Sequence, residues 1–400
     1  MRVSTSMLHD LAVRSMNDRT AELVRTQQQI STGRRVLTPS DDPVAASQAL
    51  VVSQAKARTG QFLDNVGSAR DSLGFTEATL AQATGLLQSV RDLAVAAGNA
   101  AYADENRASL AIDVRGRLAE LATLANAVDG EGRYLFGGFR DQSAPFALVP
   151  GGAVYNGDTG RRELDVARSR SMPVRENGQD VFVAIADGNG TFRATAAATN
   201  TGSGVVGSLA NAGPTGTSTY EVRFNVVGSV TTYDVWNATT SAYVTTGNPY
   251  QAGSAITVDG RQITIGGAPA NGDLFTLAPS STQSVFATLD RLAATLEAPV
   301  SGAGGRARLA NDLNDALLGI DRALEQILSV RADVGARLRE VDALASGHEE
   351  SALQQQTTLS RLTDLDYASA VSTFSRQQVA LEASQRTYAQ MSRLSLFDYL

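Results

Sequence analysis

The sequence predicts an α+β protein: long helices at both ends of the chain, packing as an elongated bundle, around a central and mainly antiparallel β insertion. Two observations predict it. Apolar residues recur at spacings of three and four through residues 1–130 and again from about 283 to the end, the seam of helix-on-helix packing. Between 188 and 282 that period disappears. Those 95 residues hold seven charged side chains, 14 Gly and 17 Thr, and short alternating runs take over.

In the first helix the seam runs through Ser6, His9, Val13, Met16, Thr20, Leu23, Gln27 and Ile30. The segment "STGRRVLTPSDDP" (31–43) interrupts it. Gly33 can take the left-handed conformation that closes a helix. Pro39 and Pro43 stiffen the path, and Asp42 is a good N-cap with Pro43 at the first helical position. Asp41 and Asp42 lie at the positive end of the next helix. Arg34 and Arg35 are candidates to pair with acids. The segment reads as a joint between two helices.

The second helix carries Val66, Ala69, Leu73, Thr76, Leu80, Ala83, Leu87, Val90, Ala94 and Ala97 on one face. If continuous from 43 to 98 it is about 80 Å long at about 1.5 Å per residue. "GNAAYAD" (98–104) ends it, and a third helix presents Leu110, Val114, Leu121, Leu124 and Val128. In the insertion, Tyr220, Val222, Phe224 and Val226 alternate in "YEVRFNVV". "AITVDGRQITI" (255–265) predicts a hairpin turning at Asp259-Gly260, and "DLFTLAP" a further strand. A short helix opens with Phe286, Leu289 and Leu292, and a long one follows "SGAGG" (301–305). The last helix aligns Val371, Phe374, Gln378, Leu381, Gln385, Tyr388 and Ser392. Both terminal seams are broken by uncharged polar residues, which weaken packing but fix register.

Formal net charge is −7 and there is no cysteine. The acidic balance argues against a nucleic-acid partner, and disulfides and thiolate zinc sites are excluded. No apolar run is long enough to span a membrane, and the N-terminus lacks the apolar stretch of a cleaved signal peptide. No nucleophile elbow, P-loop or dinucleotide fingerprint is present. "GDTG" and "DGNGT" lack the closing Glu of a calcium loop. His9 and His348 have no neighbouring acid pattern. Neither a catalytic residue nor a cofactor or metal site is expected.

"ISTGRRVLTPSDDPVAASQAL" (30–50) resembles the N-terminal helix–loop–helix of the flagellin family. "YLFGGF" (134–139), "YNGDTGRRELDV" (155–166), "VRENGQDVF" (174–182) and the C-terminal "QRTYAQMSRLSLFDYL" (385–400) are similar to the hook–filament junction members of that family. The resemblance implies that the terminal helices lie antiparallel. It implies segments 1–40 with 361–400 as inner terminal helices, 41–187 with 283–360 as a long bundle with a small β region, and 188–282 as an outer β domain. It further implies export without signal cleavage, binding to an export chaperone, and assembly as a homo-oligomeric layer. The neighbours of that layer are hook-associated protein 1 and flagellin. The assembly surface falls on Val13, Met16, Leu23, Gln27 and Ile30 with Val371, Phe374, Gln378, Leu381, Gln385 and Tyr388. The apolar end Leu394, Leu396, Phe397, Tyr399 and Leu400 needs a cover, supplied by the chaperone and then by neighbouring subunits. A flagellin filament subunit, and a secreted adhesion module carried by the β domain, are the alternatives.

Neither terminal seam is apolar enough to repay an ordering cost of about 1–2 kcal/mol per residue, so both are expected to order on assembly. Amide exchange on the free chain is expected to show little protection in 1–35 and 365–400. Strong protection there contradicts the expectation.

Overall fold

The computed structural model describes residues 5–393. Six α-helices are present among the described residues: α1 (Thr5–Thr32), α2 (Pro43–Ala97), α3 (Asp104–Ala125), α4 (Val285–Glu297), α5 (Gly302–Thr363) and α6 (Tyr367–Arg393). The fold class is α+β, with helical ends and a central antiparallel β region. The chain divides into two compact units, one comprising 1–64 and 344–400, the other 65–343.

In the first unit, α1 pairs with α6, and the start of α2 with the end of α5. Lys56 donates to Gln356, Gln355 to Thr59 at 3.2 Å, and Phe62 stacks on His348. Low numbers meet high ones, so these helices are antiparallel.

In the second unit, the remainders of α2 and α5 are antiparallel too. Arg70 meets Asp342 at 2.6 Å, Arg331 meets Glu77 at 2.7 Å and Arg91 meets Asp321 at 2.7 Å. Arg115 of α3 reaches Asp290 and Glu297 of α4. All ten residues of the α2 seam are at most 1% exposed, because this stripe faces a full shell of neighbours. Truncating one of its leucines costs about 2–5 kcal/mol. In α3, Val114 and Leu121 are buried and Leu110 and Leu124 partly so; Val128 lies beyond the helix and is exposed. The glycines at 60, 67 and 74 occupy open positions: a Cβ there meets nothing within 4 Å.

After α3 the chain ties a knot of short pieces: β1 (Phe146–Val149) pairs with β2 (Gly152–Tyr155), and β3 (Glu163–Ala167) with β4 (Arg170–Pro173). The Asp158 carboxylate accepts from the N–H groups of Phe139, Arg140 and Gly160 at 2.7–3.0 Å. Led by the Phe139 bond, these N–H groups hold its carboxyl below the usual range. The Tyr155 hydroxyl reaches the carbonyls of Phe136 and Asp158, and burial pushes it up to about 12. Buried Arg175 bridges Asp129 and Asp141. A charge held this deeply is costly unless paired and hydrogen-bonded, so the pairing fixes one arrangement of the loops.

The insertion begins with β5 (Ile185–Ala186), β6 (Phe192–Ala196), β7 (Val205–Asn211), β8 (Tyr220–Val227) and β9 (Val230–Asn237). It continues through β10 (Ala242–Pro249), β11 (Ala255–Val258), β12 (Arg261–Gly266), β13 (Leu274–Pro279) and β14 (Thr282–Gln283). A five-stranded sheet has the order β10-β9-β8-β13-β6 and a three-stranded one β11-β12-β7, all antiparallel. Tyr220, Val222 and Phe224 point into a core with Val235, Ile263 and Phe275. Asp259 and Gly260 both have positive φ, the two-residue turn expected between β11 and β12.

Asn311 of α5 accepts from the Val206 N–H at 2.8 Å and donates to the Gly204 carbonyl at 3.0 Å. Asn314 donates to the Val206 carbonyl at 3.1 Å. Two helix side chains therefore satisfy the free edge of β7. Asn311→Ala leaves the Val206 N–H without its partner and is expected to cost about 1–3 kcal/mol, read as a lower urea midpoint. An unchanged midpoint removes this account of the docking.

Candidate functional site: terminal helices and their joint

The α1–α6 pair runs antiparallel. His9 meets Tyr388, with Nε2 2.5 Å from the hydroxyl, and Gly33 lies beside Tyr367. The contact uses Ala12, Met16, Leu23, Thr26 and Ile30 of α1 and Ala370, Phe374, Gln377, Leu381, Ser384 and Tyr388 of α6, all at least partly buried. It is loosely filled. A cleft of about 410 Å³ lies among Ala12, Ser15, Met16, Arg19, Ala380, Ala383, Ser384 and Tyr388.

Met16, Leu23, Ile30, Phe374, Leu381 and Tyr388 thus lie on the contact between the two helices of one chain. Val13, Gln27, Val371, Gln378 and Gln385 do not join this contact; they are exposed beside it. The reason is a one-residue rotation on each helix. Ala12 and Thr26 take the places expected of Val13 and Gln27, and Ala370, Gln377 and Ser384 those of Val371, Gln378 and Gln385. Small side chains allow close approach but give no hydrophobic signal, so sequence reasoning missed them. Leu394, Leu396, Phe397, Tyr399 and Leu400 lie outside the described residues.

The joint closes α1 at Gly33, whose φ is +70°. A Cβ there would sit 2.8 Å from the Tyr367 hydroxyl, so glycine serves both conformation and space. The chain then pairs with the break between α5 and α6. Arg35 N–H donates to the Thr363 carbonyl at 2.7 Å, and Leu365 N–H to the Gly33 carbonyl at 2.9 Å. This makes an antiparallel bridge between Arg34 and Asp364. Arg34 acts through its backbone. Arg35 uses its side chain: one nitrogen on Asp42 at 3.1 Å, another on the Leu362 carbonyl at 2.8 Å.

The adjacent aspartates divide the work. Asp42 caps α2, accepting from the Ala45 N–H at 2.9 Å, with exposed Pro43 at the first helical position. Asp41 turns back instead. It accepts from the Leu37 and Thr38 N–H groups at 2.9 and 2.8 Å and pairs with Arg25 of α1 at 2.6 Å. Pro39 is exposed at the outer turn. Sequence reasoning missed the second half of the joint, although Asp366 before Tyr367 is a readable N-cap, accepting from Ala368 and Ser369.

The calcium-like loop is internally satisfied. Asp187 accepts from Ser281 N–H and hydroxyl at 2.7 and 2.8 Å, and Asn189 from the N–H groups of Thr191 and Phe192. Among the described residues no cluster of three or more His, Asp or Glu could hold a metal ion.

Comparison with known proteins places this arrangement. Residues 3–141 match the bacterial flagellin N-terminal helical region, and 317–400 the bacterial flagellin C-terminal helical region. The chain is 30% identical to the flagellar hook-associated protein 3 of Salmonella typhimurium over 399 residues, covering 99% of that protein. The chain belongs to the flagellar hook-associated protein 3 family. A crystal structure of the flagellar junction protein FlgL from Legionella pneumophila is 30% identical, with a TM-score of 0.72, covering 79% of this chain and all of that one. The B-type flagellin of Pseudomonas aeruginosa is 26% identical over 34% of this chain and 28% of its own. This hook-associated protein 3 family member therefore shares with flagellin the regions that hold α1, α6 and the joint. Its curated relatives are structural parts of the flagellum.

The joint titrates. The Thr38 N–H, with Leu37 and Arg25, holds the Asp41 carboxyl below its ordinary value, and the Ala45 N–H and Arg35 do the same for Asp42. Folded values lowered in this way add stability that is complete above the unfolded value of about 4. It is lost as pH falls through the folded values. The protection of the Leu37, Thr38 and Ala45 amides, relative to their intrinsic exchange at the same pH, is expected to fall below about pH 4 in the native chain. With Asp41→Asn and Asp42→Asn it is expected to be low at pH 7 already. Protection unchanged by both substitutions contradicts this assignment.

Proposed function

We propose that the protein is the adaptor layer between hook and filament, meeting hook-associated protein 1 on one side and flagellin on the other. Full-length similarity to hook-associated protein 3, against partial similarity to flagellin, is the observation that carries this reading. The chain works as a structural part rather than an enzyme. Its mechanism is coupled ordering and association: the α1–α6 hairpin completes its packing only among copies of itself, after export without signal cleavage and release from a chaperone.

The incomplete burial of the hairpin supports that mechanism. Among its described side chains only Thr26 in α1 and Ala370 in α6 are buried. Val371 and Val379 are 50% and 67% exposed, and Leu11 and Val24 are also open. An apolar surface this broken gives a weak monomeric contact and leaves Val13, Gln27, Gln378 and Gln385 free for neighbours.

Because the chain has no cysteine, single-cysteine variants report on this directly. Gln27→Cys and Gln378→Cys chains, co-expressed and oxidised on isolated flagella, are expected to form a disulfide dimer absent from the free mixture. Labelled chain is expected in a band at the hook–filament boundary. Label along the whole filament supports flagellin instead, and absence of the dimer from assembled flagella removes the hairpin mechanism.

A further inference from the structure

Two features of the second unit are unused by the terminal helices. The first is the tip Phe139-Arg140. Asp158 clamps the backbone N–H groups of both residues at 3.0 Å, and the phenyl ring lies against Gly160. Yet Phe139 is 63% exposed, and the Arg140 guanidinium, which feels the charge of Asp158, makes no close ion pair among the described residues. An aromatic ring beside an arginine on a rigid backbone is the composition of a binding anchor, with little conformational entropy left to lose.

The second feature is a groove of about 420 Å³ between α5 and strands β6 and β7, within the 300–1,000 Å³ range of binding pockets. Val206, Leu209 and Leu317 give it an apolar lining; Asp312, Asp315 and Asp321 stand along it with Arg193, which is paired with Asp187. Asp315 is paired with Arg291 and Asp321 with Arg91. Asp312 makes no ion pair among the described residues. Burial, and then the charge of Asp315, raise its carboxyl above the ordinary value, against the attraction of Arg308 and Arg291.

Tip and groove are complementary in character: one exposed ring and one cation without a close ion pair, against one apolar slot and one anion without a close ion pair. The tip does not fill the groove of its own chain, since one is exposed and the other open. We propose that the Phe139-Arg140 tip of one copy seats in the α5 groove of a second copy, the ring on Val206, Leu209 and Leu317 and the guanidinium on Asp312. This inference rests on the assembly of copies proposed above. Such a contact is heterologous, because two different patches meet. Heterologous contacts propagate into rings or helical layers rather than closing as a dimer.

The test exchanges the charges. Arg140→Asp and Asp312→Arg are each expected to abolish swimming when supplied in place of the native chain. Circular dichroism melts of the purified variants should match the native chain, showing that both fold. The double variant, with the charges exchanged, is expected to restore swimming. In parallel, co-expressed Arg140→Cys and Asp312→Cys chains are expected to form a disulfide dimer on isolated flagella. Full swimming by both single variants overturns the contact, as does a double variant as defective as the worse single one. A groove cysteine that crosslinks only to another protein overturns it too. The Gln27–Gln378 disulfide and the boundary label do not involve these residues. If they appear while the tip–groove disulfide does not, this contact alone fails and the adaptor reading stands.

Discussion

The first unit depends on a bridge of two residues. Arg34 and Asp364 pair as neighbouring strands do, at the point where α1 gives way to α2 and α5 gives way to α6. Helix ends leave backbone groups without partners. Here the two breaks supply one another's needs, Thr363 accepting from Arg35 and Gly33 accepting from Leu365. Because the bridge links residues 330 positions apart in sequence, the start of α1 and the end of α6 share one register. Tyr367 beside Gly33, and Arg35 on the Leu362 carbonyl, add side-chain contacts to the same point. Moving one break without the other would strand several donors and acceptors.

How much of this is legible in sequence depends on what does the packing. The α2 seam is read without error from Val66 to Ala97, because large apolar residues at heptad spacing face a continuous core. The β8 alternation and the Asp259-Gly260 turn are equally direct: period two and a positive φ each leave a residue signature. The α1–α6 contact is half legible. Its leucines, aromatics and isoleucine mark one side of the stripe. The other side is Ala12, Thr26, Ala370 and Ser384, residues a hydrophobic count passes over. Asp41 and Asp42 look alike as a pair, yet one caps a helix and the other folds a loop onto Arg25. Nothing local separates those roles; the partner lies on a different helix.

Polar side chains that stand in for backbone are the least legible class. Asn311 and Asn314 end the three-stranded sheet by imitating a neighbouring strand, and Asp158 gathers two N–H groups of a distant turn and that of Gly160. In sequence each is an ordinary polar residue. Their value comes from the cost of leaving buried backbone groups unpaired, about 1–3 kcal/mol apiece. That cost arises only once the fold has brought the groups together. The motifs "YLFGGF" and "YNGDTG" therefore resemble family members for a structural reason: their residues hold one another in a single knot.

The assembly proposed for the chain sets two opposing demands, remaining soluble alone and associating when ordered. An uninterrupted apolar stripe on α1 and α6 would satisfy the second and fail the first, since large contiguous apolar patches associate without selectivity. The structure resolves this by dividing the stripe. Small residues line one side of the intramolecular contact, so it closes weakly. Glutamines and isolated valines flank it, so the exposed faces stay wettable while keeping a defined pattern of amides. Amide pairs contribute direction more than energy, because their hydrogen bonds with water are nearly as good. Specificity in such a surface comes from register, and register is what the Arg34–Asp364 bridge sets.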